Sequence, residues 1–514
     1  MITNLQPNTH LTGIVKFSST ISFVMNNKTG YLFTHLKESC GTTINNYDIK
    51  LIVFTDIKKN KLKKSDTSAH IDHFCIVSIT DKIYKHNYLI VKIEQIIGPI
   101  NNINYKYSTL LLLNTSFSPN IPLYSSKLID LEPIKNYYNS LHRSTFKYDI
   151  ISIDPIGCLE IDDAFSYIDE NNFIVHIADP NKIGHLIDLN KYYKLITSIY
   201  FPNKTYHILP TELSTNYISL REHNIRPVIS VSIQFDINNS ISITNITRQN
   251  VLITKNMSYD EADTYLHDKT NIIYKMFMLV KKLEILYYKN QQQVIKKKLI
   301  STTDMIELLM IATNHLIGNY LYNSNATNMI YKCYDETNLS IYKLRNNEIK
   351  EIKEIKEQTF THNILNLQNY TLFTSPIRRT VDFYIHQKLL NIIDSTIQLN
   401  NEYIIDIDYL NKYTSFVKTI SYRAKHIMIA MLINEQPYEC ILLNVNVETF
   451  YFKWKIKCFN FVFNCYLCSQ LFIDNNTSFI ETLQIGNCYN IYLYNISKQL
   501  IEPFETIMFD FKKN

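Results

Sequence analysis

The sequence predicts a multidomain α+β protein, with β-barrel regions at both ends and a mixed α/β domain between them. Three observations predict it. The 514 residues exceed what one simple core serves, at roughly 150 residues per domain. Short alternating apolar runs, broken by Asn and Gly turns, fill both ends in the pattern of half-buried strands. In the centre, Met276 to Leu286 and Met305 to Tyr322 carry apolar residues at helical spacing.

From Leu11 to about Pro99, runs such as Gly13-Ile14-Val15-Lys16-Phe17, Gly30-Tyr31-Leu32-Phe33 and Cys75-Ile76-Val77-Ser78-Ile79 suit one or two five-stranded oligonucleotide-binding (OB) barrels. Aromatics alternate with Lys on some of these strands, a pattern that serves base stacking and an ordinary half-buried sheet equally well. Strand patterns return near Gln436 in Cys440 to Val445, Phe450 to Trp454, Phe461 to Phe463 and Tyr489 to Tyr494, predicting another barrel. The expected divisions are residues 1–130, 131–435 and 436–514. Cys465-Tyr466-Leu467-Cys468 reads as buried strand cysteines, because structural zinc wants four ligands and Cys458 and Cys488 stand apart.

With 46% hydrophobic residues the chain can bury substantial cores. No apolar run nears the roughly 18 residues of a membrane span, and Met1 to His10 lack a targeting pattern. A cytoplasmic or nuclear, non-membrane protein is expected, and nine scattered cysteines point to reduced thiols. Net charge is only +5, so a polyanion site must come from local clustering. Lys58 to Lys64 and Lys296 to Lys298 are such clusters, although charge runs are commonly solvated faces. The Glu-Ile-Lys triplets between Glu348 and Glu357 read as a solvated low-complexity excursion.

Chemistry concentrates in Asp154-Pro155-Ile156-Gly157-Cys158-Leu159-Glu160-Ile161-Asp162-Asp163, behind the strand-like Ile151-Ser152-Ile153. Crowded carboxylates raise one another's pKa, so the cluster asks for a cation, magnesium being the obvious one. Gly157 supplies a tight turn inside it. Calcium binding, helix capping and phosphoryl transfer are all open to such a cluster. The spacing departs from a calcium loop, capping would occupy one carboxylate, and the order strand, Gly turn, paired acids fits metal-assisted phosphoryl transfer best.

Together with His176-Ile177-Ala178-Asp179-Pro180, this stretch resembles the ribonuclease II (RNB) family of exoribonucleases. Further blocks follow in that family's order: Tyr200-Phe201-Pro202, Leu209 to Ser214, Ser219-Leu220-Arg221, Arg226-Pro227-Val228, Tyr259 to Ala262, Glu307 to Asn314, and Phe373-Thr374-Ser375-Pro376-Ile377-Arg378-Arg379 with Asp382 and His386 behind. The resemblance spans roughly Ser140 to Ile433. It implies N-terminal OB/cold-shock-like barrels, a central RNB catalytic domain and a C-terminal OB-type RNA-binding barrel.

The implied activity is a magnesium-dependent, processive 3′-to-5′ exoribonuclease that hydrolyses single-stranded RNA to nucleoside 5′-monophosphates. Two Mg2+ ions are implied, with Mn2+ a substitute; the expected partner is single-stranded RNA, any RNA-processing or degradation complex is left unidentified, and the chain is expected to be a monomer. By resemblance Asp154, Glu160, Asp162 and Asp163 hold metal, Asp162 also positioning the ion or the attacking water. Arg378 is catalytic and binds RNA phosphate, Arg379 assists RNA binding or pairs structurally, and Tyr200 stacks on bases. Thr374 and Ser375 are expected to cap a helix, and His176 to be a core strand residue. Glu160 departs from the family's Asp, Leu372 from its His and Thr380 from its Tyr. The alternative reading is a catalytically weak or inactive RNA-binding protein that keeps the RNB channel.

Overall fold

The computed structural model describes residues 10–16, 23–25, 28–35, 50–55, 72–84, 88–112, 130–189, 192–193, 195–238, 240–287, 298–334, 340–345, 360–393, 405–434, 436–446, 451–466, 482–495 and 507–510. The Lys58 to Lys64 cluster, Lys296, Lys297, the Glu-Ile-Lys triplets and Cys468 lie outside them. Two compact units form: Met1–Ile121, Tyr200–Lys204 and Val417–Asn514 make the first, Pro122–Ile199 and Thr205–Phe416 the second.

The first unit begins with β1 (His10–Lys16), β2 (Phe23–Met25), β3 (Lys28–His35), β4 (Lys50–Thr55), β5 (His73–Tyr84) and β6 (Tyr88–Pro99), ordered β1-β5-β6-β4-β3-β2. Strand β1 also pairs with β3, which closes five strands into one barrel with β2 appended. Phe74, Val77 and Val91 are buried, and helix α1 (Ile103–Leu112) follows with Tyr107, Leu110 and Leu111 buried.

In the second unit α2 (Glu132–Asn139) leads into β7 (Ile151–Asp154), β8 (Asp163–Tyr167) and β9 (Asn172–Ala178). The short strands β10 (Ile199–Phe201) and β11 (Lys204–Tyr206) pair with each other, their Tyr200–Lys204 stretch counted in the first unit, and β12 (Ile225–Phe235), β13 (Ile241–Leu252) and β14 (Lys255–Ser258) follow. The main sheet runs β13-β12-β9-β8-β7-β14, with β14 parallel to β7. Ile151 and Ile153 on β7, Phe165 on β8 and Val175 on β9 are buried, so β7 lies in the core and delivers Asp154 at its end.

Helices α3 (Tyr259–Asp263), α4 (Ile272–Tyr287) and α5 (Thr302–Asn323) come next. Ser301 starts α5 with a capping box to Asp304, which satisfies two otherwise orphan donors. Strands β15 (Met329–Tyr334), β16 (Ser340–Arg345), β17 (Thr361–His362) and β18 (Leu367–Gln368) form a small sheet. Helix α6 (Thr380–Ile393) is buried on every side from Thr380 to Leu390, as befits a core helix. Helix α7 (Ile407–Leu432) contributes residues to both units.

The first unit resumes with β19 (Pro437–Asn446), β20 (Tyr451–Ile456), β21 (Phe461–Tyr466), β22 (Cys488–Asn495) and β23 (Ile507–Asp510), ordered β21-β20-β19-β22-β23. Leaving β2 aside, the N-terminal ring reads β4-β3-β1-β5-β6, the same third-second-first-fourth-fifth order. Phe452, Trp454, Phe463, Ile491 and Phe509 fill the C-terminal core. Cys465 lies buried on β21, where burial holds its thiol well above the ordinary pKa. Among the described residues no helix is long and apolar enough to cross a membrane.

Candidate active site

Asp154 ends β7, and the chain then turns at Gly157, whose φ of 78° is the left-handed region that favours glycine. A Cβ there would meet nothing within 4 Å, so conformation and not space requires the glycine. Cys158 N donates to the Pro155 carbonyl at 3.0 Å to close the turn. The returning strand is clamped by the Ser219-Leu220 block: Ile161 N donates to Ser219 Oγ at 3.1 Å, and Leu220 N to the Ile161 carbonyl at 3.0 Å. Ala178 N donates to the Asp162 carbonyl at 2.9 Å, fixing Asp162 from β9.

The buried Asp162 side chain joins two distant stretches of chain. Its Oδ1 accepts from Ile377 N at 2.8 Å, and its Oδ2 from Arg378 Nε at 2.9 Å. Arg378 Nη2 donates to Ser375 Oγ at 2.9 Å, yet 39% of the arginine side chain stays exposed and within reach of a ligand anion. Tyr193 steadies this loop, its hydroxyl donating to the Pro376 carbonyl at 2.6 Å while its ring stacks on Phe383. Asn314, on α5, accepts from Phe373 N at 2.8 Å.

Arg379 turns aside to pair with buried Asp382 at 2.9 Å, and Asp382 also accepts from Ser375 N at 2.8 Å. Helix α6 begins five residues after Ser375, whose hydroxyl holds Arg378 and not a helix end. Thr380, at the family's Tyr position, is buried with its hydroxyl on the carbonyls of Tyr193 and Leu195. His176 sits in the core between Ser166 and Ser230, and burial pushes its pKa down to about 3.

The four acids occupy different surroundings. Burial raises Asp154 to about 6 against the pull of Ser152, Arg378 and Cys158. It raises Asp162 to about 7 despite Arg378 and the Ile377 amide. Asp163 stands well above the usual carboxylate range through burial and the charges of Asp154 and Asp162. Tyr259, which opens α3, is raised by burial and then by Asp163 and Asp154. Glu160 Oε1 instead accepts from His207 Nδ1 at 2.7 Å and Ser198 Oγ at 3.4 Å.

Among the described residues, no group of three or more His, Cys, Asp or Glu side chains is gathered to hold a metal. A magnesium ion nevertheless fits part of the expected set. Asp154 Oδ2 is buried without a hydrogen-bond partner, and the neighbouring Asp163 shares its raised pKa. Magnesium commonly takes one or two carboxylates and fills its octahedron with water and substrate phosphate, so a two-carboxylate seat suffices for one ion. Both Asp162 oxygens already serve Ile377 and Arg378.

Tyr200 belongs to the first unit, with 45% of its surface exposed. It lines an open groove of about 740 Å³ with Phe201, Pro202, Tyr422, Lys425, Met428, Lys453 and Phe461. Tyr422 stacks on Phe461 with ring centres 5.4 Å apart, and Lys425 Nζ lies 5.5 Å from the Phe461 ring centre. The residues unforeseen from sequence are His207, Ser198, Tyr193, Tyr422 and Phe461. Phe461 stood in a segment read only as strand.

Residues 143–303 match the RNB domain. Over that stretch the chain is similar to RNB-domain proteins. It is 25% identical to Ribonuclease R of Chlamydia muridarum over 332 residues, covering 50% of this chain and 48% of that protein. It is 27% identical to Exoribonuclease 2 of Buchnera aphidicola subsp. Baizongia pistaciae over 337 residues, covering 50% and 52%. The chain spans about half the length of the curated relatives it matches.

Among solved structures it resembles the apo form of Mycoplasma genitalium RNase R, with TM-score 0.67 and 15% identity over 98% of this chain and 89% of that one. The same enzyme in complex with ribose methylated single-stranded RNA gives TM-score 0.65 and 16% identity, at the same coverage. Yeast Ssd1, a pseudonuclease, gives TM-score 0.60 and 13% identity over 90% and 66%. These likenesses establish the fold: multidomain α+β, OB-type barrels flanking an RNB domain.

Proposed function

We propose that this chain is a metal-dependent 3′-to-5′ exoribonuclease that hydrolyses single-stranded RNA processively to nucleoside 5′-monophosphates. The observation that carries the reading is Asp162 bridging Ile377 N and Arg378 Nε, 216 residues apart from the arginine in sequence, beside Asp154 with its unsatisfied buried oxygen. That arrangement sets a cation seat next to a half-exposed guanidinium, as a scissile phosphate requires.

In this mechanism Asp154 and Asp163 would hold one Mg2+ ion. When bound, the ion neutralises phosphate charge and makes water a usable nucleophile near neutral pH. Asp162 fixes Arg378 through Nε, and the exposed part of the arginine side chain would face phosphate oxygens as charge builds in the transition state. Ser375 holds the plane of the fork, and Tyr193 and Asn314 keep its loop from shifting. The groove offers the exposed rings of Tyr200 and Tyr422, with Lys425 and Lys453 beside them, to single-stranded bases and phosphates without choosing a sequence.

One observation favours a second reading, RNA binding without hydrolysis: no cluster of three metal-type side chains is assembled among the described residues. A 5′-labelled single-stranded RNA incubated with Mg2+ separates the two. The nuclease produces a ladder that shortens toward the 5′ end, and Asp162→Asn does not. Tight binding by the wild type with no Mg2+-dependent shortening would establish the second reading.

A further inference from the structure

Glu160 has hydrogen-bond partners unlike those of Asp162. It is buried at 6% exposure, its Oε1 accepting hydrogen bonds from His207 Nδ1 at 2.7 Å and from the Ser198 hydroxyl at 3.4 Å. Ser198 is tied in turn to the Arg378 segment. Its amide donates to the Arg378 carbonyl at 2.9 Å, and Thr197 Oγ1 donates to that same carbonyl at 3.1 Å. Ile208 N donates to Ser198 Oγ at 3.0 Å, so the residue after His207 joins the same knot. A short bridge pairs Thr197 with Arg379, and Thr380 N donates to the Ile196 carbonyl at 2.9 Å, extending the tie on both sides of Arg378.

We propose that Glu160 is a positioning residue and not a metal donor: through His207 and Ser198 it fixes the backbone of Arg378 against the acid loop. Arg378 is then held twice, its guanidinium by Asp162 and its carbonyl by the strand that Glu160 anchors. The extra methylene of Glu over Asp is what the link uses. An Asp here would stop short of His207 by about one C–C bond, roughly 1.5 Å, enough to break a hydrogen bond. His207, 12% exposed in its side chain, becomes a functional residue of this chain. The inference rests on the nuclease reading for its kinetic consequence, although its metal-binding consequence stands apart from hydrolysis.

The two roles for Glu160 rank its conservative variants in opposite orders. A metal donor tolerates Asp, which keeps the charge, better than Gln. A positioning residue tolerates Gln, which keeps the reach and the acceptor oxygen, better than Asp. Single-turnover cleavage of a labelled oligoadenylate at saturating Mg2+ is measured for Glu160→Gln, Glu160→Asp, His207→Ala and the Glu160→Asp/His207→Ala double variant. Thermal melts accompany each to confirm folding.

The expected result is that Glu160→Gln outpaces Glu160→Asp by about tenfold and that Glu160→Asp, His207→Ala and the double variant lose rate equally, because they cut one link. The RNA concentration at half-saturation should move less than the rate constant. Calorimetric titration of the RNA-free protein with Mg2+ should show Glu160→Gln within about threefold of wild type. The proposal is overturned by Asp outpacing Gln, by multiplicative losses in the double variant, or by a tenfold loss of Mg2+ affinity in Glu160→Gln. If the wild type never shortens RNA, the nuclease reading fails by itself, and the Mg2+ titration alone decides whether Glu160 is a donor.

Discussion

The acid site and the aromatic groove are built on opposite principles. At the acid site the side chains are buried and immobilised: Asp162 is 2% exposed, and each of its oxygens has a fixed donor. In the groove Tyr200 and Tyr422 are 45% and 43% exposed, with lysines beside them. Chemistry gains from groups fixed before the substrate arrives, since no reorganisation remains to be done at the moment of reaction. A strand of varying sequence is held better by aromatic faces that accept any base. Under the proposed function, the contrast puts rate in one region and affinity in the other.

The sharpest way to break that division is Asp162→Asn, which removes the charge holding Arg378. Cleavage should fall by about 10² to 10³ with RNA affinity nearly kept, the scale seen when a transition-state donor is lost. Rapid-quench kinetics beside filter binding separates the two quantities. An equal loss of affinity would erase the distinction between the regions.

Metal linkage comes next. Folded Asp154 and Asp162 titrate near 6 and near 7, against 3.8 for the free side chain. The folded protein therefore holds protons that the unfolded chain has released, and these two groups withdraw stability as pH rises from about 4 to about 7. A cation seated on ionised Asp154 and Asp163 reverses the part of the loss that belongs to Asp154. The Mg2+-induced stabilisation, read from the melting temperature, should be small at pH 5, grow through pH 6 to 7 and level off above, reaching about 2.7 kcal/mol at a hundredfold excess over Kd. Asp154→Asn should flatten it. A rise independent of pH would place the ion elsewhere.

Smaller effects belong to the groove. Tyr422→Ala should weaken single-stranded RNA binding by about 1 to 3 kcal/mol, the worth of one stacked base, while leaving the single-turnover rate at saturating RNA unchanged. Lys453→Gln should weaken binding alike for all sequences and reduce the salt slope by about 0.7. Fluorescence anisotropy across a salt series reads both. A rate defect in either variant would carry the groove into the chemistry.

Much of this arrangement was legible in the sequence. The alternation Phe461-Val462-Phe463 gave a strand whose two phenylalanines and Cys465 face the core. The helical spacing of Met276 to Leu286 and Met305 to Tyr322 matches α4 and α5. Asp154 at a strand end and Gly157 at positive φ follow from local pattern, because strand and turn signals act over a few residues.

The partners of those residues were harder to read. Nothing local distinguishes His207 from the other fourteen histidines, and its role arises only when Glu160 folds against it. Ser375 read as a helix cap since Ser commonly is one. Tertiary placement of Arg378 claimed its hydroxyl instead. Arg379 was open between RNA and an ion pair, and the buried Asp382 three residues on decides for the pair, a contact set by helix geometry.

The central claim, hydrolysis of RNA from its 3′ end at the Asp162 and Arg378 site, is tested most directly by the first product from RNA labelled on its 3′-terminal nucleotide. With Mg2+, the wild type should release the label as nucleoside 5′-monophosphate from the first turnover, and Asp162→Asn should release none on that timescale. Label appearing first in longer oligomers, or released equally by Asp162→Asn, would contradict the account.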